Sequence, residues 1–277
     1  MKIHKKDMQV SWISGMPRSG TTWLSQIFAS SPDVRLKFCP LFSYEFKNSL
    51  NESSSGDDWA NLFWDVYNTE SEFLDQDYLR DKGFIPSFVE KNTEPKNLVI
   101  KSTRFHNLVP YILKHHDHVR FVHLVRNPCA TIYSWMTNKN EFPVDADPLK
   151  EWRSGGCRKK GDSYGEFWGF DDWVAVTFQA LELEKLYPGR FKVLRYEDLV
   201  RDTESSVKSI FAYLGISYDK QTMDFIALSH SRHDSNKRSV FKKPELNKDW
   251  ATKLDPSIIA TCFSELKSTP LEVFLND

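Results

Sequence analysis

Gly15 and Gly20, with four residues between them, bracket Met16-Pro17-Arg18-Ser19, and Thr21-Thr22 follow at once. Ahead of them Val10, Trp12 and Ile13 form a short apolar run, as a buried strand does. Behind them Trp23-Leu24-Ser25-Gln26-Ile27-Phe28 has helix-like apolar spacing. A strand, a glycine-bounded loop and a helix N terminus make an anion site. Successive backbone N–H groups converge there, and the helix dipole adds about half a positive charge. The spacing nearly matches the phosphate-loop pattern GxxxxGK[ST], in which a lysine follows the second glycine. Here Thr21 holds that position, and the strong cation, Arg18, lies inside the loop.

Further along, Leu98-Val99-Ile100 reads as a buried strand ending in Lys101. Val119 to Val125 is the clearest strand in the chain. Arg126 follows it directly, and Ser134 lies eight residues on, two turns into the next helix. An arginine offers a planar fork of donors to a phosphate, and a serine hydroxyl adds a neutral one. A late stretch from Arg232 to Lys243 is rich in cations, with Trp250 beyond it.

The elements that must position these residues alternate. Ser31-Pro32-Asp33 stops the first helix, and 34–38 suits a short strand. Residues 40–95 read as a helical, loop-rich insertion, with 51–58 its clearest loop. Helices are expected at 108–115, from Pro128 through Met136, at 167–186 and at 207–214, with a strand at 191–194. Residues 140–165, with four glycines and two prolines, read as a lid-like irregular segment. Such alternation implies an α/β chain, a P-loop-like three-layer αβα fold with a central, mostly parallel sheet. The 277 residues suit a single domain. Ligands then bind beyond the carboxyl ends of the strands, where the 15–20 loop, Lys101 and Arg126 would meet.

Composition narrows the function. A formal net charge of −1 leaves no global basic field for nucleic acid or an anionic membrane, so any anion site must be local. Nine tryptophans and twenty phenylalanines provide for a well-filled core, and suit an aromatic-lined pocket too. Cys39, Cys129, Cys157 and Cys262 lie far apart without a CxxC pair, which indicates neither a zinc site nor a disulfide framework and favours a reducing compartment. No apolar run approaches eighteen residues, and the N-terminal segment leads straight into the first strand, so a cytoplasmic protein is expected.

Met16-Pro17-Arg18-Ser19-Gly20-Thr21-Thr22-Trp23-Leu24 resembles the 5′-phosphosulfate loop of the sulfotransferases that use 3′-phosphoadenosine-5′-phosphosulfate (PAPS). His123 through Trp135 (HLVRNPCATIYSW) resembles that family's 3′-phosphate motif, and Tyr196-Glu197-Asp198-Leu199 its YEDL strand end. The resemblance implies a metal-independent transferase that moves a sulfuryl group from PAPS to a hydroxyl or amine and releases adenosine 3′,5′-bisphosphate (PAP). It assigns Arg18, Ser19, Gly20, Thr21, Thr22 and Trp23 to the donor loop, Arg126 and Ser134 to the 3′-phosphate and Tyr196 to the adenine. It puts Lys101 near the sulfuryl group, and Arg238 is the expected cation of the late basic segment, with Arg232 and Lys237 as substitutes. Glu197 and Asp198 are expected to cap the following helix.

Two departures stand out. Small-molecule members have a histidine two residues after the lysine, where this chain has Thr103; the glutamate that other members place after the first helix is also missing. His106 and Glu45 are then the candidate bases. Lys101 with Arg104 resembles the carbohydrate branch. A small polar acceptor, a secondary metabolite or glycan-like molecule, is expected. The competing readings are a P-loop small-molecule or nucleoside kinase, which would need Mg²⁺, and a non-catalytic nucleotide-binding protein.

Overall fold

Alternation along β1 (Gln9–Ser14) decides which helices cover which face. Val10 and Trp12 point to one layer, and Ile13 to the other, as the period of two along a strand requires. The computed structural model describes residues 3–159, 164–242 and 248–276. Its sheet also contains β2 (Val34–Phe38), β3 (Asn97–Lys101), β4 (Arg120–Val125) and β5 (Phe191–Arg195). The order is β2-β3-β1-β4-β5 and every pairing is parallel. Both faces of such a sheet must be covered.

The helices in chain order are α1 (Thr21–Ser30), α2 (Gly56–Asn68), α3 (Asp77–Arg80), α4 (Val109–His115), α5 (Pro128–Met136) and α6 (Pro148–Glu151), then α7 (Gly169–Leu186), α8 (Tyr196–Arg201), α9 (Thr203–Leu214), α10 (Lys220–Ser231), α11 (Trp250–Lys253) and α12 (Pro256–Leu266). Residues of α2, α4 and α7 pack on the Trp12 face. Residues of α1, α8, α9 and α10 pack on the Ile13 face. The fold is therefore the three-layer α/β arrangement expected from the sequence. A row of rings, Trp12 on Phe121 at 5.8 Å and Phe121 on Phe191 at 5.7 Å, crosses β1, β4 and β5. Much of the aromatic content is thus core.

Several local expectations need correcting. Residues 51–58 are not all loop: Ser55 caps α2, accepting from the Asp58 N–H while the Asp58 carboxylate accepts from Ser55, so Gly56 to Asp58 form its first turn. The 40–95 segment is woven into the core through Trp59, Phe63 and Val66 of α2. Tyr196 opens α8 instead of ending a strand, and Glu197 and Asp198 lie inside its first turn. The cap of α9 is Asp202. In the 140–165 segment α6 is helical, and residues 160–163 lie outside the described residues, as does Lys243.

Candidate active site

The sheet ends bring the expected residues together. Register places Ile13 beside Lys101 and Phe38 beside Lys101, so β1, β2 and β3 finish at one level. A cleft of about 590 Å³ opens there. Arg18, Gly20, Thr21, Thr22, Trp23, Lys101, Arg126, Ser134, Tyr196 and Arg238 all line it. Ser19 lies buried in the loop behind.

The loop has the features of an anion cradle. No side chain caps the N terminus of α1, and its first turn holds no acidic residue, so its N–H groups and dipole face the cleft unopposed. Gly20 has φ +90°, and a Cβ there would stand 2.5 Å from Cε2 of Tyr196. Only glycine allows the loop to pass under that ring. Arg18 itself takes a left-handed φ of 71°, a conformation that costs a non-glycine residue about 1–2 kcal/mol. Arg126 holds it there by donating from Nη1 to the Arg18 carbonyl at 3.2 Å.

The Arg18 side chain spans the cleft. Nε donates to Ser134 Oγ at 3.2 Å, Nη2 to the Lys237 carbonyl at 3.2 Å, and Nη1 lies 3.6 Å from Glu141 Oε2. Arg126 stacks over Tyr196, 4.8 Å from the ring centroid. Trp23 meets Tyr196 edge to face and donates Nε1–H to Ser229 at 3.0 Å. The two rings form an aromatic shelf beside the guanidinium. Two buried donors in the cradle, Ser19 Oγ and Arg126 Nε, have no hydrogen-bond partner among the described residues. Such orphaned donors fit a site built for anionic oxygens.

Lys101 is buried at the end of β3, its Nζ 3.4 Å from Thr22 Oγ1 and 4.5 Å from the Phe38 ring centroid. Burial pushes its pKa down to about 8. Beyond it Arg104 stacks on Phe42 at 3.8 Å and pairs with Glu166. Phe38, Phe42, Phe73, Tyr78 and Trp168 line this end of the cleft, so the aromatic-lined pocket exists alongside the core.

Neither expected base is there. His106 is 1% exposed, packed against Phe167 and His123 at 5.0 and 5.8 Å, and does not line the cleft. Burial pushes its pKa down to about 4. The cause is local: Phe105 adopts φ 59° and turns the chain into a 3-10 helix that carries the imidazole inward. Glu45 is exposed outside the cleft lining, hydrogen-bonded to Ser71. Of the late cations, Arg238 and Lys237 line the cleft, whereas Arg232 lies off it, stacked over Phe241 at 4.1 Å. Glu141 was not legible in sequence; it is one acid in an irregular stretch, and only the fold carries it to Arg18. Among the described residues no cluster of three or more His, Cys, Asp or Glu could hold a metal ion.

A profile described as Sulfotransferase family matches residues 12–220. The chain belongs to the sulfotransferase family. It is 28% identical over 220 residues to protein-tyrosine sulfotransferase 1 of Danio rerio, a match covering 78% of this chain and 56% of that protein. The chain therefore spans little more than half the length of that curated relative. Among solved structures, mouse sulfotransferase SULT7A1 complexed with PAP superposes with a TM-score of 0.55 at 18% identity, covering 99% of this chain and 89% of that one. The sulfotransferase domain of the Synechococcus PCC 7002 olefin synthase gives 0.55 at 19% identity, covering 100% and 99%. These likenesses establish the shared fold. No helix among the described residues is long and apolar enough to cross a membrane.

Proposed function

We propose that this sulfotransferase takes PAPS as donor and moves its sulfuryl group to a hydroxyl or amine of a small polar acceptor, releasing PAP. The observation that carries this reading is the cradle itself: an uncapped α1 N terminus, buried unpartnered donors on Ser19 and Arg126, and two cations, Arg18 and Lys101, around one spot. The relative crystallised with PAP supports the donor. In this reading Arg126, Ser134 and the Lys237–Arg238 segment hold the 3′-phosphate, while Trp23 and Tyr196 flank the adenine.

Displacement at sulfur leaves negative charge on the oxygen that bridged sulfur to phosphorus. Arg18 and the N–H groups of Ser19 to Thr22 stabilise that oxygen, and Lys101 neutralises the sulfuryl group in flight. These are electrostatic contributions that need no covalent work by the protein. The aromatic end, with Phe42, Phe73 and Trp168, receives the acceptor. The free cysteines suit a cytoplasmic setting, in accord with the sequence. Incubation with ³⁵S-labelled PAPS and a panel of hydroxyl and amine acceptors tests the proposal. Label should move from donor to acceptor without added metal; label transfer from γ-³²P ATP with Mg²⁺ instead would place the chain among the kinases.

A further inference from the structure

Transfer to a hydroxyl or amine leaves a proton to be removed, and among the cleft-lining carboxylates the geometry narrows the choice of group that takes it. Two carboxylates line the cleft among the described residues, Glu141 and Asp249. Asp249 is ion-paired with Lys253 at 2.7 Å, and its charge falls on Lys237, at the end proposed for the 3′-phosphate. Glu141 faces Arg18 instead. Its Oε2 lies 3.6 Å from Arg18 Nη1, and its charge acts on Lys101 and Arg104 as well as Arg18.

We propose that Glu141 is the catalytic base of this enzyme, the group that accepts the proton of the attacking hydroxyl or amine. The proposal rests on the PAPS reading above. The carboxylate is built into place. Asn138, 1% exposed, donates from Nδ2 to Glu141 Oε2 at 2.8 Å, and Trp135 Nε1 donates to the Glu141 carbonyl at 3.4 Å. The next residue, Phe142, is buried edge to face against Trp135 at 5.1 Å, and Trp168 packs on the same indole at 5.5 Å. The segment is thus rigid where the carboxylate is attached, while the side chain keeps 30% exposure toward the cleft. Oε1 has no hydrogen bond among the described residues.

Donor binding and base release are linked in this geometry. The phosphosulfate brings negative charge to Arg18 and Lys101 and competes with Glu141 for both. The freed carboxylate then faces the acceptor. An acceptor lone pair forms the new bond to sulfur, the bond from sulfur to the bridging oxygen breaks, and its electron pair stays on the 5′-phosphate of PAP. The acceptor proton goes to Glu141, which returns it to solvent.

The test measures PAP release from PAPS, with water and with 2-naphthol as acceptors, for wild type, Glu141→Gln and Glu141→Asp across pH 5–9. PAP-induced thermal stabilisation is recorded alongside. Glu141→Gln should lose about 10²–10⁴-fold in turnover together with the acidic limb of the pH profile. Glu141→Asp should restore part of the rate, and all three proteins should be stabilised by PAP. Wild-type turnover and an unchanged profile in Glu141→Gln would overturn the assignment alone. So would loss of PAP stabilisation in that variant, since the residue would then organise the donor cradle. Failure of PAP to stabilise the wild type would overturn the donor reading and, with it, the base.

Discussion

Lys101 is a cation held where a cation is costly. Its folded-state pKa, about 8, lies below the ordinary 10.5 because of burial. Between those values the unfolded chain binds more protons than the native one, so stability rises with pH across that window. Below pH 8 the full cost is present, about 3 kcal/mol for a shift of this size. Lys101→Met should therefore hold or raise the melting temperature at pH 7 while lowering transfer by about 10²-fold or more, the loss of a positioned electrostatic group. Thermal melts and PAP-release assays on one preparation check both halves; a fall of several degrees would contradict the first. Lys101 was legible because Leu98-Val99-Ile100 announces a strand whose end faces the ligand side. His106 looked reachable three residues beyond Thr103, but no local pattern reveals the left-handed Phe105 that turns it inward. Glu141 was invisible for the converse reason: its partner, Arg18, is far away in sequence.

The element that sets donor geometry is the turn from β1 into α1. It was readable almost residue by residue, since glycine spacing, an apolar run and a helical period all agree there. Gly20→Ala should clash with the Tyr196 ring, 2.5 Å from the new methyl, and strain a φ of +90°. The expected outcome is a loss of about 1–3 kcal/mol in stability and at least tenfold weaker PAP binding, read by denaturant melts and calorimetry. Unchanged PAP affinity would mean that the Tyr196 contact does not shape the cradle. The start of α2 is hidden in the sequence because Ser55 to Asp58 is as polar as any loop; there the acid three residues after a serine is a helix signal. Tyr196 reads as a strand end because β5 passes into α8 without an intervening loop.

At the scale of the molecule, strand–helix alternation predicts a parallel sheet, but the β2-β3-β1-β4-β5 order depends on which face each crossover helix covers, and no single segment encodes that. One consequence is the burial of His106 and His123 between layers, with Ser14 Oγ 2.8 Å from His123 Nδ1. Burial pushes His106 from 6.5 down to about 4 and His123 well below its ordinary value. The unfolded chain takes up these protons first, so the stability that their neutral forms contribute is present above pH 6.5 and is lost as pH falls toward 4. For His106 the loss amounts to about 3 kcal/mol. Urea melts at pH 7 and pH 5 should show it, and His106→Phe should flatten it; an identical pH dependence in that variant would contradict the burial account.

Arg18, Lys101, Arg126 and Tyr196 line a single pocket, and the donor proposed for it is the point to test. The most direct measurement is a thermal-shift titration with PAP, against AMP and against ATP with Mg²⁺, in wild type and Arg126→Ala. A ligand that binds only the native state adds about 2.7 kcal/mol at a hundredfold excess over its dissociation constant. PAP should stabilise the wild type well beyond AMP, and Arg126→Ala should lose that excess. Equal stabilisation by AMP, or stabilisation by ATP and Mg²⁺ alone, would contradict a site built for a 3′-phosphate.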